Sequence, residues 1–179
     1  MIRANVVDIV KNDEKYIFLL QEEAQARILR IWVGPMEGTA IAMGIRAYPT
    51  IRPMTFDFIT HLLDALGAQL EEVRVEVLKD SIFYGIAKVR IGNEVKEVDA
   101  RPSDILALAV RTGSPIYLAE EVVQQAGKDM ATYENEIGTF TPGEGIEAIL
   151  KDFEELLKEL RQFPTPPPAE GEDMELPKE

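Results

Sequence analysis

Cysteine is absent from this 179-residue chain, and histidine and tryptophan each occur once. Without thiols there is no disulfide framework, no thiolate zinc site and no cysteine nucleophile. A single histidine, His61, provides no His pair for a zinc protease and little basis for a His-centred triad. Phosphate-binding P-loops, GxGxxG turns and GxSxG elbows are missing as well. Positive charge is scarce: 19 Lys+Arg against 32 Asp+Glu leave a net charge of −13. That balance excludes a basic coat for nucleic acid and a polybasic membrane anchor. No apolar run approaches the ~18 residues of a membrane span, and the first residues lack the apolar core of a signal peptide. The expectation is a cytoplasmic protein with no membrane partner.

The acidity is unevenly placed. Residues 164–179 hold five acids, one lysine and five prolines with little apolar content. Such a segment cannot bury enough surface to offset its ordering entropy, so a disordered Pro/Glu-rich tail is expected. Residues 144–163 carry a net −3 on a helical apolar pattern, which leaves −6 on the remaining 143 residues. The body is therefore only mildly acidic.

Periodicity gives an α+β reading, with an antiparallel or mixed sheet, helices packed on it and a C-terminal helix. Strands are expected over 4–10, 16–20 and 28–33, the first alternating imperfectly. Gly34-Pro35 then opens a helix to about residue 46, since proline loses nothing at the first helical position. Thr55 is expected to cap a second helix that ends at Gly67. Residues 69–78, 82–91 and 94–98 read as a three-stranded meander with turns at 79–81 and at Gly92-Asn93. A short buried helix over 103–111, a strand over 114–118 and a helix over 120–126 follow. Residues 128–141 read as irregular, and 144–163 as an amphipathic helix. The organisation expected is a domain over 1–130, the irregular segment and helix over 131–163, and the tail over 164–179.

Three segments could carry chemistry. In Asp99-Ala100-Arg101-Pro102-Ser103-Asp104, a strand ends and a helix begins, so acidic and basic groups crowd a helix N-terminus. One reading is structural: Ser103 caps the helix, Asp104 complements its dipole and Arg101 pairs with Asp99. The other is a phosphate or divalent-ion site. Glu37, near the third position of the first helix, either satisfies early amides or adds a carboxylate at a second such junction. Asp57, His61 and Asp64 share one face of the second helix, opposite Phe58, Leu62 and Leu66. That face is either a solvated surface or a set of ligands.

Several runs resemble the bifunctional nuclease domain family: 31–38 (Ile-Trp-Val-Gly-Pro-Met-Glu-Gly), 52–57, 62–67, Phe83-Tyr84-Gly85, 98–104 and 111–122. They follow the family's order and spacing over roughly residues 1–130. The resemblance implies hydrolysis of both DNA and RNA. On chemical grounds Asp99, Asp104 and Glu37 are the candidate ligands for Mg²⁺ or Mn²⁺, and Arg101 the phosphate contact. Ser103 would orient the phosphate, and His61 or Asp57 would accept a proton. The competing expectation is a non-catalytic, oligomeric ligand-binding or regulatory module. A homo-oligomer, most simply a two-fold dimer, is the general prior.

Overall fold

The computed structural model describes residues 1–12, 15–23, 27–137 and 141–160. Within these residues eight strands form one mixed sheet: β1 (Ile2–Asn12), β2 (Lys15–Glu22), β3 (Arg27–Val33), β4 (Ala68–Lys79), β5 (Ile82–Ile91), β6 (Glu94–Ala100), β7 (Ile116–Leu118) and β8 (Lys128–Asp129). Among the described residues there are six helices, α1 (Pro35–Ile45), α2 (Thr55–Ala65), α3 (Pro102–Thr112), α4 (Glu120–Ala126), α5 (Met130–Ile137) and α6 (Glu144–Leu160). The strand order is β6-β5-β4-β7-β1-β2-β3-β8. Two antiparallel meanders, β1–β3 and β4–β6, are thus joined by the three-residue β7, which pairs antiparallel with β1 and parallel with β4. This is the expected α+β architecture. The imperfect alternation of the first strand has a cause: the register shifts between Val6 and Asp8, and the bulge re-aims the side chains beyond it.

One face of the sheet holds the main core. Phe18, Leu20, Leu29, Val73 and Val75 pack there against Ile41 of α1, Leu106 of α3, Val122 of α4 and Ile149 of α6. On the other face the meander β1–β3 is covered by α5, where Tyr133 is fully buried against Ile17, Leu19 and Ile28. The same face of β4–β6 instead carries charge, with Arg74 bonded to Glu72 at 2.7 Å and Glu97 at 3.2 Å.

Three local expectations are corrected. Residues 128–141 are not irregular throughout: β8 and α5 occupy 128–137, and the Asp129 carboxylate accepts the Thr132 N–H at 2.7 Å and its hydroxyl at 2.9 Å. An eight-residue helix is too short for its period to stand out. The cap of α2 is Met54, not Thr55, and the Asp57 carboxylate accepts the Met54 N–H at 2.9 Å. The cap of α3 is Arg101, with Pro102 next and Ser103 inside the helix, where it is buried. The expected tail over 164–179 and residues 161–163 of the last expected helix lie outside the described residues, as do residues 13 and 14 of the first hairpin turn.

The last helix is tied to the sheet by one buried acid. Asp8, 1% exposed, accepts the N–H groups of Gly143 (3.0 Å), Gly145 (3.3 Å) and Ile146 (3.2 Å). These are first-turn amides that no carbonyl within the helix can satisfy. A strand residue therefore caps α6 from 135 or more positions away.

Candidate active site

Two strand-to-helix junctions have the same local chemistry. In Gly34-Pro35-Met36-Glu37 and Arg101-Pro102-Ser103-Asp104, proline takes the first helical position and an acid falls two residues later. Proline fixes the entry angle, and the acid in the first turn meets the positive end of the helix dipole. Helices α1 and α3 pack side by side. The start of α3 is pressed onto β5 at Gly85, where a side-chain carbon would lie 2.6 Å from Ile105 Cδ1 and 3.0 Å from the Ala100 carbonyl oxygen. Only glycine leaves room for that approach.

Arg101 joins the two junctions. Its Nε donates to Asp104 Oδ2 at 2.8 Å and its Nη2 to Asp104 Oδ1 at 2.9 Å, a forked pair. Its Nη1 reaches Glu37 Oε1 at 3.0 Å. The side chain remains 66% exposed. Hydrogen bonds and charge from Asp104, then the bond from Glu37, hold the guanidinium charged well above its ordinary range. A guanidinium has five N–H donors, so two remain for another acceptor. The cluster sits on a cavity of about 480 Å³ enclosed by α1, the start of α2, α3 and α6. Its walls are largely apolar, with Met43, Phe56, Ile149 and Phe153 among them.

Other expected site residues lie elsewhere. Asp99 is exposed on β6 and pairs in register with Ile86, which pairs with Arg74. Directly opposed residues share a face of the sheet, so Asp99 belongs to the charged face, away from α1 and α3. The alternation of β6 thus separates Asp99 from Asp104 and Glu37. The expected Arg101–Asp99 pairing is replaced by Arg101–Asp104 and Arg101–Glu37. Asp57 and His61 border a different cavity, of about 420 Å³.

The Asp104 and Glu37 carboxylates already share one cation, the guanidinium, and the third carboxylate points to the opposite face. Among the described residues no group of three or more Asp, Glu or His side chains is placed to hold a metal ion. The Asp99–Asp104–Glu37 set does not fit Mg²⁺ or Mn²⁺, which take around six oxygens.

A further residue that periodicity did not single out is Arg111, in the last turn of α3. Its side chain is 9% exposed, and Nε donates to Asp57 Oδ1 at 2.8 Å. Nη1 donates to the Ala40 and Ala107 carbonyls, each at 2.8 Å, and the guanidinium lies 5.5 Å from the Phe56 ring centre. Burial pushes the Asp57 carboxyl up, but the Arg111 and Met54 hydrogen bonds with the Arg111 charge bring it below its ordinary value. In sequence Arg111 reads as an ordinary cation near a helix C-terminus; its bonds to α1 and α2 are visible only in three dimensions.

Among the described residues no helix is long and apolar enough to cross a membrane. Two uncharacterized proteins of Mycobacterium tuberculosis, MT1877 of strain CDC 1551 / Oshkosh and Rv1829 of strain ATCC 25618 / H37Rv, are each 43% identical to this chain over 111 residues. The alignment takes in 62% of this chain and 66% of each relative. Residues 18–131, which include Glu37, Arg101 and Asp104, match the bifunctional nuclease domain. The chain belongs to the bifunctional nuclease domain family.

Proposed function

We propose that this protein is a nuclease that hydrolyses phosphodiester bonds of DNA and RNA at the Glu37–Arg101–Asp104 cluster. The observation that carries the reading is the exposed Arg101, braced by two carboxylates of the family-matched region on the rim of a cavity. Asp104 engages Arg101 with both oxygens and is the positioning residue. The two remaining N–H groups of Arg101 face the non-bridging phosphate oxygens, where negative charge grows as water attacks. Glu37 engages Arg101 through Oε1 only, so Oε2 is the general base. Water oxygen bonds to phosphorus, its proton passes to Glu37, and the phosphorus–oxygen bond to the leaving sugar breaks. A solvent proton neutralises the departing oxygen.

An external water as nucleophile gives the 2′-hydroxyl no role, so DNA and RNA both serve. Contact through phosphate carries no base information, hence little sequence preference. The net charge of −13 makes nucleic-acid binding weak. No step here passes through a metal ion.

The test is cleavage of single-stranded DNA and RNA by highly purified wild type, Arg101→Ala and Glu37→Gln, with and without EDTA. Losses of roughly 10²–10³ in rate are expected for Arg101→Ala, the size of removing one electrostatic stabiliser. Unchanged cleavage in both variants would reject this site. Cleavage abolished by EDTA and restored by Mn²⁺ would reject the metal-free step.

A further inference from the structure

The cavity beside Arg101 is lined in a way that a phosphate contact alone does not require. Met36 of α1, Met54 at the cap of α2 and Leu156 of α6 border it, yet are 78%, 42% and 49% exposed. Three elements thus leave apolar side chains in solvent along one cavity, next to an exposed guanidinium. Further in, Phe153 is held edge-on to Tyr48, with ring centres 6.1 Å apart and planes at 79°. Phe56 has a face occupied by Arg111. Outside the Glu37–Arg101–Asp104 cluster, the charged groups of the wall are already paired, Asp152 with Lys11 and Arg111 with Asp57.

We propose that this cavity takes the nucleobase beside the phosphate held by Arg101, so that the substrate is a single strand or an unpaired nucleotide. The inference rests on the nuclease reading and deepens it. In nucleic acid, the apolar surface nearest each phosphate is the face of a base. A duplex hides that face between stacked neighbours, and the base enters a pocket only by leaving the stack. A single strand presents it at little cost. The cavity, about 480 Å³, has the size of sites that enclose a small organic ligand. Phe153 provides a ring on which any base can stack, so the site tolerates all sequences.

Charge favours the same occupant. With a net charge of −13, the chain has little cationic surface on which to follow a phosphate backbone. One exposed guanidinium fixes one phosphate, and stacking of the base supplies further affinity without any added cation. A second phosphate does not suit a wall whose other charges are paired. Ile149, Phe153 and Leu156 belong to α6, beyond the family-matched residues 18–131. The phosphate cluster and part of the base cavity therefore come from different stretches of the chain. Phe153 and Leu156 are specificity-determining residues that the family match does not imply.

The test compares kcat/KM of the full chain on a single-stranded DNA, on its duplex and on a strand of equal length made of abasic residues. Single strand should be favoured over duplex at least about a hundredfold, the cost of unpairing and unstacking a base. It should be favoured over the abasic strand about tenfold, the size of one stacked base. Phe153→Ala should lower the base-bearing to abasic ratio about tenfold, and Leu156→Ala about threefold, as for a half-exposed apolar contact. A general loss of folding lowers both rates and leaves their ratio alone. Should Phe153→Ala unfold, the half-exposed Leu156 still decides. Wild type that cleaves duplex as fast as single strand, or abasic as fast as base-bearing strand, would overturn the proposal and leave the nuclease reading standing. Cleavage of none of the three would overturn the nuclease reading, and fluorescence anisotropy of the labelled strands then decides the occupant of the cavity. Binding weakened several-fold both by Leu156→Ala and by loss of the bases would support a base. Binding indifferent to both changes, or binding of decanoate but of no strand, would overturn it.

Discussion

Helix α3 carries an arginine at each end, and the two have opposite surroundings. Arg101 at the N-terminal end is 66% exposed and bonded only to carboxylates; Arg111 in the last turn is 9% exposed and bonded to one carboxylate and two backbone carbonyls. A buried guanidinium is retained when each surrounding acceptor needs it, so Arg111 locks α1, α2 and α3 together. An exposed one between two acids gains little stability from the pairing, because water screens it. What Arg101 gains is a fixed orientation with donors left over. The contrast separates a joint of the fold from a working group on the same helix.

Removing the joint should have the largest effect. Arg111→Ala is expected to cost about 3–5 kcal/mol, the range for breaking a buried pair and stranding its partner, read as a fall in urea midpoint. Gly44→Ala should come next. A side-chain carbon there would lie 2.7 Å from Arg111 Nη1 and 2.6 Å from Val110 Cγ2, and such overpacking costs about 1–3 kcal/mol. Equal stability of either variant and wild type would erase the distinction between the two arginines.

Acid sharpens the comparison. Because the folded Asp57 carboxyl titrates below its ordinary value of 3.8, its contribution to stability is complete above that pH. It is lost as pH falls through the lowered folded value. Urea unfolding between pH 5 and 2.5, a window of about this span, should show a component that disappears in Asp57→Asn. A variant with the wild-type acid profile would contradict the assignment.

Arg101→Ala should change stability little, by less than about 1 kcal/mol, as expected for an exposed pair, while cleavage falls as stated above. Asp99→Ala should leave both cleavage and folding unchanged, because its side chain belongs to the other face of the sheet. Loss of cleavage in Asp99→Ala with unchanged folding would move the active site to the charged face of the sheet and reject the Glu37–Arg101–Asp104 cluster.

Most elements were legible because their signals are local. Proline after Gly34 and after Arg101, alternation in β4 and β5, and the apolar period of α6 each lie within a few residues. The missed ones depend on distant partners. The period of α5 is hidden in eight residues and becomes visible only through Tyr133, buried under β2 and β3. The pairing of Arg101 with Asp104 was within reach of the sequence, three positions apart on one helix turn. Glu37 joins them from 64 positions away. The stripe on α2 was equally clear as a period, but a period does not say which side meets the body: Phe56, Asp57, Ile59, Thr60 and Leu63 are partly buried, and Phe58, Leu62 and Leu66 are exposed.

The scarcity of cysteine, histidine and positive charge determined, without any structure, which chemistries this protein lacks. Local patterning determined its α+β class and placed an acid in the first turn of two helices, since proline geometry and helix dipoles act over a few residues. Tertiary structure alone decided that those two helices lie side by side, that one guanidinium bridges their acids and that Asp99 faces away. The physical reason is that sheet order and face are set by which distant surfaces bury together, and burial is a property of the whole chain.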